Sequence, residues 1–155
     1  MAFQYTLNLT GIQGESEINE HKKEINIDEV IQEYEAPSEM DKITLLDKTE
    51  IRPAVNCHGI TITKSYDKST PNILSSLTEG AVIEEGLISC FGSNSEVFLT
   101  IAVKRLIVRK VRLAFNKESV SVLINFSYEE IDHSYIPDGA KKAIFSYRRD
   151  IPWPR

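Results

Sequence analysis

The stretch Lys64-Ser-Tyr-Asp-Lys-Ser-Thr-Pro-Asn-Ile-Leu74, with Gly80 beyond it, decides the reading of the fold. It carries the strongest helix signal in the chain. Thr70 suits an N-cap, and Pro71 suits the first helical position, where a missing N–H and a fixed φ are tolerated. Ile73, Leu74 and Leu77 recur on one apolar face. Gly80 is placed to close the helix in the left-handed conformation. The spacing predicts one short helix over about residues 70–79, whose Thr70 cap is expected to contribute about 1 kcal/mol.

Outward from this helix, the pattern is β on both sides. Upstream, Gly59-Ile-Thr-Ile-Thr63 is a short β-branched strand. Downstream, residues 81–91 read as an apolar strand bent at Gly86, and Gly92-Ser-Asn-Ser95 as a turn. Val97, Leu99, Ile101 and Val103 alternate, followed by Ile107, Val111, Leu113 and Phe115. Asn116-Lys117 separates this run from Val120, Val122, Ile124, Phe126 and Tyr128, which predicts a hairpin. At Glu129-Glu130 the apolar phase slips by one, to Ile131, His133 and Tyr135, which predicts a β-bulge. Pro137-Asp138-Gly139 is expected to end the sheet, leaving residues 136–155 as a basic C-terminal tail with no regular strand past Pro152.

At the other end, Phe3, Tyr5, Leu7 and Leu9 alternate with Gln4, Thr6, Asn8 and Thr10, the period of a half-buried strand stopped by Gly11 and Gly14. Residues 15–56 are acidic and least regular. Ile25 and Ile27 fit a strand, whereas Ile27, Val30, Ile31 and Tyr34 also fit helical spacing. From Glu35 to Pro53 the chain reads as a long extended loop, with Pro37, Ser38, Asp41 and Asp47 around a short apolar clip at Ile43, Leu45 and Leu46. A loop of that length in a compact domain usually meets a partner, so these residues form a candidate assembly loop. Six to eight strands and one short helix make the fold class mainly β: a two-sheet β-barrel or sandwich, in one domain spanning 1–155.

Composition narrows the function. Hydrophobic residues make up 41% of the 155 and charged residues 26%, which suits a globular domain with its own core. A formal net charge of -5 argues against a nucleic-acid partner. No apolar run is long enough to span a membrane, and the N-terminus lacks the pattern of a cleaved signal peptide. Cys57 and Cys90 do not make a disulfide framework and read as two buried thiols, with a single bridge between them as the alternative.

A search for chemistry yields none. His21, His58 and His133 are far apart, and Cys57-His58 point to opposite faces of a strand, so no metal or other cofactor site is expected. No G-x-S-x-G, phosphate loop or dinucleotide fingerprint occurs. The paired acids Glu84-Glu85 and Glu129-Glu130 read as solvated faces. No catalytic residue is assigned. The one cluster that stands out is Lys104, Arg105, Arg109, Lys110 and Arg112. It reads either as a solvated strand face or as a charged interface for rings, with nucleic acid a weaker third because aromatics are not interleaved.

The run Asp67, Lys68, Ser69, Thr70, Pro71, Leu74 and Gly80 resembles the central motif of the Hcp family, the haemolysin co-regulated tube proteins of type VI secretion. Gly11-Ile-Gln-Gly-Glu15, the strand around Val103-Leu106-Val108 and the strand ending at Tyr135 are similar to further parts of that family, so the resemblance covers residues 3–135. The acidic segment 15–56, the basic cluster and the Trp153 tail depart from it. The resemblance implies a barrel with one outside helix and a homo-oligomer, a hexameric ring that stacks into a tube. It implies a spike protein, a contractile sheath and small effector cargo as partners. It also implies assembly in the cytoplasm followed by secretion through the type VI apparatus. The alternative is a monomeric barrel of the same fold, like a phage tail-tube protein, acting as a binding module.

Overall fold

The computed structural model describes residues 3–18, 20–35, 56–92, 96–137 and 143–148, with the side chains of 56–58 excepted. The strands are β1 (Gln4–Leu9), β2 (Ile25–Ile27), β3 (Glu29–Glu35), β4 (Asn56–Ser65), β5 (Val82–Phe91), β6 (Val97–Phe115), β7 (Val120–Ser127), β8 (Glu130–Tyr135) and β9 (Ala143–Arg148). The helix α1 spans Ser69–Glu79. All strand pairs are antiparallel, in the order β2-β1-β5-β6-β7-β4-β3, with β8 beside β6 and β9 beside β8.

One long strand organises the barrel. The first half of β6 lies between β5 and β8, from Val97↔Phe91 and Leu99↔Tyr135 to Lys104↔Glu130. Its second half pairs with β7, from Ile107↔Ser127 to Phe115↔Val120. Arg105 sits at the join with φ 56, in the left-handed region. Buried positions shift there from Ile101 and Val103 to Leu106 and Val108. The slip predicted at Glu129-Glu130 lies directly opposite, where burial moves from Phe126 and Tyr128 to Ile131. Both strands therefore turn over together, and the slip marks the break between β7 and β8, not a bulge in one strand. A bulge does occur in β6, between Val108 and Lys110.

The sheet thus forms two halves packed face to face, the two-sheet barrel-like architecture that the alternation predicted. A second crossing occurs at Asp28. Ile27 pairs with Tyr5 in one half, Glu29 pairs with Thr63 in the other, and the Asp28 N–H donates to Thr63 O at 2.8 Å. The helical alternative for Ile27–Tyr34 is thereby overturned: two strands on different partners place Ile25 and Ile27 in the core. The core is mostly β-branched and leucine, with Leu7, Ile60, Ile62, Ile73, Ile88, Leu106, Val122 and Ile124 almost fully buried.

Three other expectations are corrected. Thr6, assigned to the solvent face of β1, is fully buried, because Glu24 folds over it and accepts its hydroxyl proton at 2.7 Å. The sheet does not end at Pro137: Ala143, Phe145 and Tyr147 pair with Tyr135, His133 and Ile131, so part of the segment read as a tail is strand β9. The helix begins at Ser69, ahead of the predicted Thr70 cap, for a reason set out below. The 36–55 segment, with Pro37, Ser38, Asp41, Ile43, Leu45, Leu46 and Asp47, lies outside the described residues, as do residues 93–95, where a turn is predicted, and residues 149–155.

Candidate assembly surfaces

Lys64 organises the motif that holds α1. Period-two alternation puts it on the same face as Ile60 and Ile62, so its side chain enters the core, where its exposure is 0%. An ammonium there must be paired and fully bonded. Its three donors go to Ser65 O at 3.0 Å, Asp67 Oδ1 at 2.8 Å and Thr70 Oγ1 at 2.9 Å. Asp67 then caps the helix. Its carboxylate accepts the Ser69 N–H at 2.9 Å and the Ser69 hydroxyl. Thr70 Oγ1 in turn accepts the Asp67 N–H at 3.2 Å. The arrangement is close to a capping box, except that the Asp67 carboxylate accepts from the residue two on, while the Thr70 N–H donates to the Asp67 carbonyl. Lys68, which flanks the helix, already has helical dihedrals and makes no side-chain cap bond.

Burial acts to raise the Asp67 pKa, but the bonds from Lys64 and Ser69 and the Lys64 charge outweigh it and hold the carboxyl below its ordinary value. Pro71 falls in the first turn, where its missing donor has no helical partner to lose. Leu74 is half-buried, and Gly80 ends the helix at φ 63, with Gly80 N–H donating to Leu77 O and Ala81 N–H to Ser76 O. Lys68 N–H reaches Glu15 Oε2 at 2.8 Å, tying the motif to the N-terminal segment. Sequence reasoning missed Lys64 as the hub, although its phase with Ile60 and Ile62 was the available signal.

The basic cluster splits into two groups. Lys104 and Arg105 lie at the bend among acids. Lys104 is in register with Glu85 on one side and Glu130 on the other. Arg105 Nε lies 2.7 Å from Glu129 Oε2, charge against charge and without the alignment of a hydrogen bond. Arg148 from β9 adds contacts to Glu129 at 3.7 Å and Glu130 at 3.5 Å. These residues, with Thr10 and Glu84, line a groove of about 370 Å³ in which opposite charges neutralise one another.

Arg109, Lys110 and Arg112 lie past the bend, exposed, and among the described residues none makes an ion pair. Register carries straight rows from them across the outer face of the second half. One row is Arg112–Leu123–Thr63–Glu29, and the next is Lys110–Asn125–Thr61–Ile31. The middle of this face is uncharged, with Asn125 Nδ2 donating to Thr61 Oγ1 at 2.9 Å. The far lane, on β3, is acidic, with Glu29 and Glu33 exposed on either side of Ile31.

Cys90, His21 and His133 pack within the fold. Cys90 is a free thiol in the core, pushed up to about 11 by burial, the opposite of an activated nucleophile. His21 bonds Glu24 at 3.1 Å and stacks on Phe91. His133, shifted down by burial, faces the hydroxyl of Tyr34 at 3.3 Å and the ring of Phe145. Among the described residues no group of three or more His, Cys, Asp or Glu could hold a metal ion. No helix among them is long and apolar enough to cross a membrane.

A bent strand shared by two packed sheet halves, with one helix pinned by a buried lysine, defines a mainly β scaffold. The family model described as "Type VI secretion system effector, Hcp" matches residues 6–135. The chain belongs to the Hcp family, the tube proteins of type VI secretion, a structural family and not an enzyme family. Solved structures share the fold over nearly their whole length. Hcp1 from Salmonella typhimurium is 18% identical, with a TM-score of 0.81, covering 96% of this chain and 95% of that one. A type VI secretion system effector from Yersinia pestis is 20% identical, with a TM-score of 0.77, covering 93% and 98%. The secreted protein Hcp3 from Pseudomonas aeruginosa is 15% identical, with a TM-score of 0.70, covering 97% and 100%. No curated protein matches the sequence.

Proposed function

We propose that this chain is the repeating subunit of a type VI tube: six copies close into a ring with an open lumen, and rings stack. Small effectors travel in the lumen, a spike protein sits at the tip, and a contractile sheath surrounds the tube. The work is assembly and passage, without turnover. The observation that carries this reading is the family match over residues 6–135. The order of events is assembly in the cytoplasm and then export through the apparatus.

In this reading the whole chain acts as one domain, with β9 joined to the 3–135 barrel and the rest of the C-terminal tail beyond it. The Asp67–Gly80 motif fixes α1 against β6, and the loop bearing Pro37 to Asp47 is an arm to a neighbouring copy. Size-exclusion chromatography with light scattering, followed by negative-stain microscopy of the full chain, tests the reading. Expected are particles of six times 17.6 kDa with a central hole. A particle that stays at the single-chain mass at high concentration overturns it in favour of the monomeric binding module.

A further inference from the structure

We propose that copies of this chain join head to tail by laying the basic lane of β6 (Arg109, Lys110 and Arg112) against the acidic lane of β3 (Glu29 and Glu33) of the next copy. The proposal rests on the ring reading and names the surface that closes it.

The two lanes bound one sheet. On the row Arg112–Leu123–Thr63–Glu29 they are three strand spacings apart, roughly 14 Å. That is too far for an ion pair within one chain, and further than charges act strongly through salt water. Both lanes sit where pairing stops. Among the described strands β3 pairs only with β4, and β6 beyond Ile107 pairs only with β7. The cations nearer the bend, Arg105 and Arg148, do have carboxylate partners in the same chain. Among the described residues the lanes are thus complementary charges without an ion pair inside the chain.

Geometry favours a second copy as the occupant. The chain carries a formal charge of -5, so two copies repel at long range and need a local match of opposite sign to meet. Ile31, 52% exposed between the two glutamates, gives the contact an apolar centre. The two lanes are different surfaces on opposite flanks, which makes the contact heterologous. Such contacts propagate, and they close into rings when the rotation per copy divides the circle. The uncharged face between the lanes keeps one orientation, so each copy presents Thr61, Thr63, Leu123 and Asn125 to the same side of the ring.

The test uses the full chain. One variant reverses the basic lane (Arg109→Glu, Lys110→Glu, Arg112→Glu), and the other reverses the acidic lane (Glu29→Lys, Glu33→Lys). Each alone is expected to lose the ring peak in light scattering while keeping the wild-type circular dichroism. A chain carrying all five reversals, or an equimolar mixture of the two variants, is expected to recover rings. If the triple reversal does not fold, Arg112→Glu with Glu29→Arg on the same row provides the same loss and rescue. Rings that survive either reversal, or no rescue by the swap, overturn the lane contact while the ring reading stands. A closed pair at twice the chain mass overturns the head-to-tail geometry. Wild-type protein that never forms rings removes both.

Discussion

Replacing Lys64 by Met gives the sharpest test of how this fold is held. Methionine matches the length of the buried stem and supplies no donor. The substitution leaves the Asp67 carboxylate without its countercharge and Thr70 Oγ1 and Ser65 O each without one bond. Removing one partner of a buried ion pair costs about 3–5 kcal/mol. The lower end applies, because Asp67 retains 13% side-chain exposure and both Ser69 bonds. A loss of about 3 kcal/mol against a total of roughly 5–15 kcal/mol lowers Tm by about 6–12 °C. Urea unfolding at fixed protomer concentration is the assay, since association adds to apparent stability. Asp67→Asn completes a double-mutant cycle, in which a coupling of about 1–3 kcal/mol is expected. The sign with pH follows from the depressed Asp67 pKa: its contribution is present above the unfolded value of about 3.9 and is lost as pH falls through the lower folded value. The penalty for Lys64→Met should therefore shrink below about pH 4. A Met variant within about 0.5 kcal/mol of wild type at pH 7, or strict additivity with Asp67→Asn, refutes the reasoning.

Three further outcomes are expected. Gly80→Ala should cost only about 1–2 kcal/mol, because φ is 63 but a Cβ meets nothing within 4 Å. Gly59→Ala should cost more than about 4 kcal/mol or prevent folding, because φ is 79 and a Cβ falls 2.2 Å from Phe126 O; equal losses in the two melts contradict this. Burial lowers the His133 pKa, so the unfolded chain binds the extra proton first, and stability present above about pH 6.5 falls as pH drops towards the folded value. Urea midpoints measured from pH 7 to pH 5 should decline less in His133→Asn, and identical declines dismiss His133 as a contributor.

The strands with clean alternation were legible because one face of each meets the core: β4, the β6–β7 hairpin and most of β1. The helix was legible from Pro71 and Gly80, which act locally. Its first residue was misplaced because the cap is set by tertiary structure. Thr70 has the right side chain for an N-cap, but Lys64 draws that hydroxyl inward and leaves the cap to Asp67. Thr6 was misassigned because the cover on its face comes from Glu24, a neighbour no periodicity announces. The ambiguity of Ile27–Tyr34 had a physical origin, since a crossing at Asp28 shifts the burial phase and a shifted β phase imitates helical spacing. Charge gave the cluster at 104–112 but not its division, which depends on a backbone turn.

That division follows from the length of β6. Nineteen residues at about 3.4 Å each run roughly 60 Å if straight, well beyond the width of a 155-residue domain, so the strand has to bend. It bends at Arg105, where a non-glycine at φ 56 costs about 1–2 kcal/mol. The cost is offset where it arises, because the residue opposite is Glu129 and the two charges meet at 2.7 Å. Lys104 and Arg105 consequently stay with the acids of the first half, and the bulge at Arg109 leaves Lys110 and Arg112 on the face whose acidic lane, on β3, lies three strands away. One run of five cations thus divides: Arg105 meets Glu129 at the corner, Lys104 stays in register with Glu85 and Glu130, and the remaining three form the lane proposed to meet carboxylates on another copy.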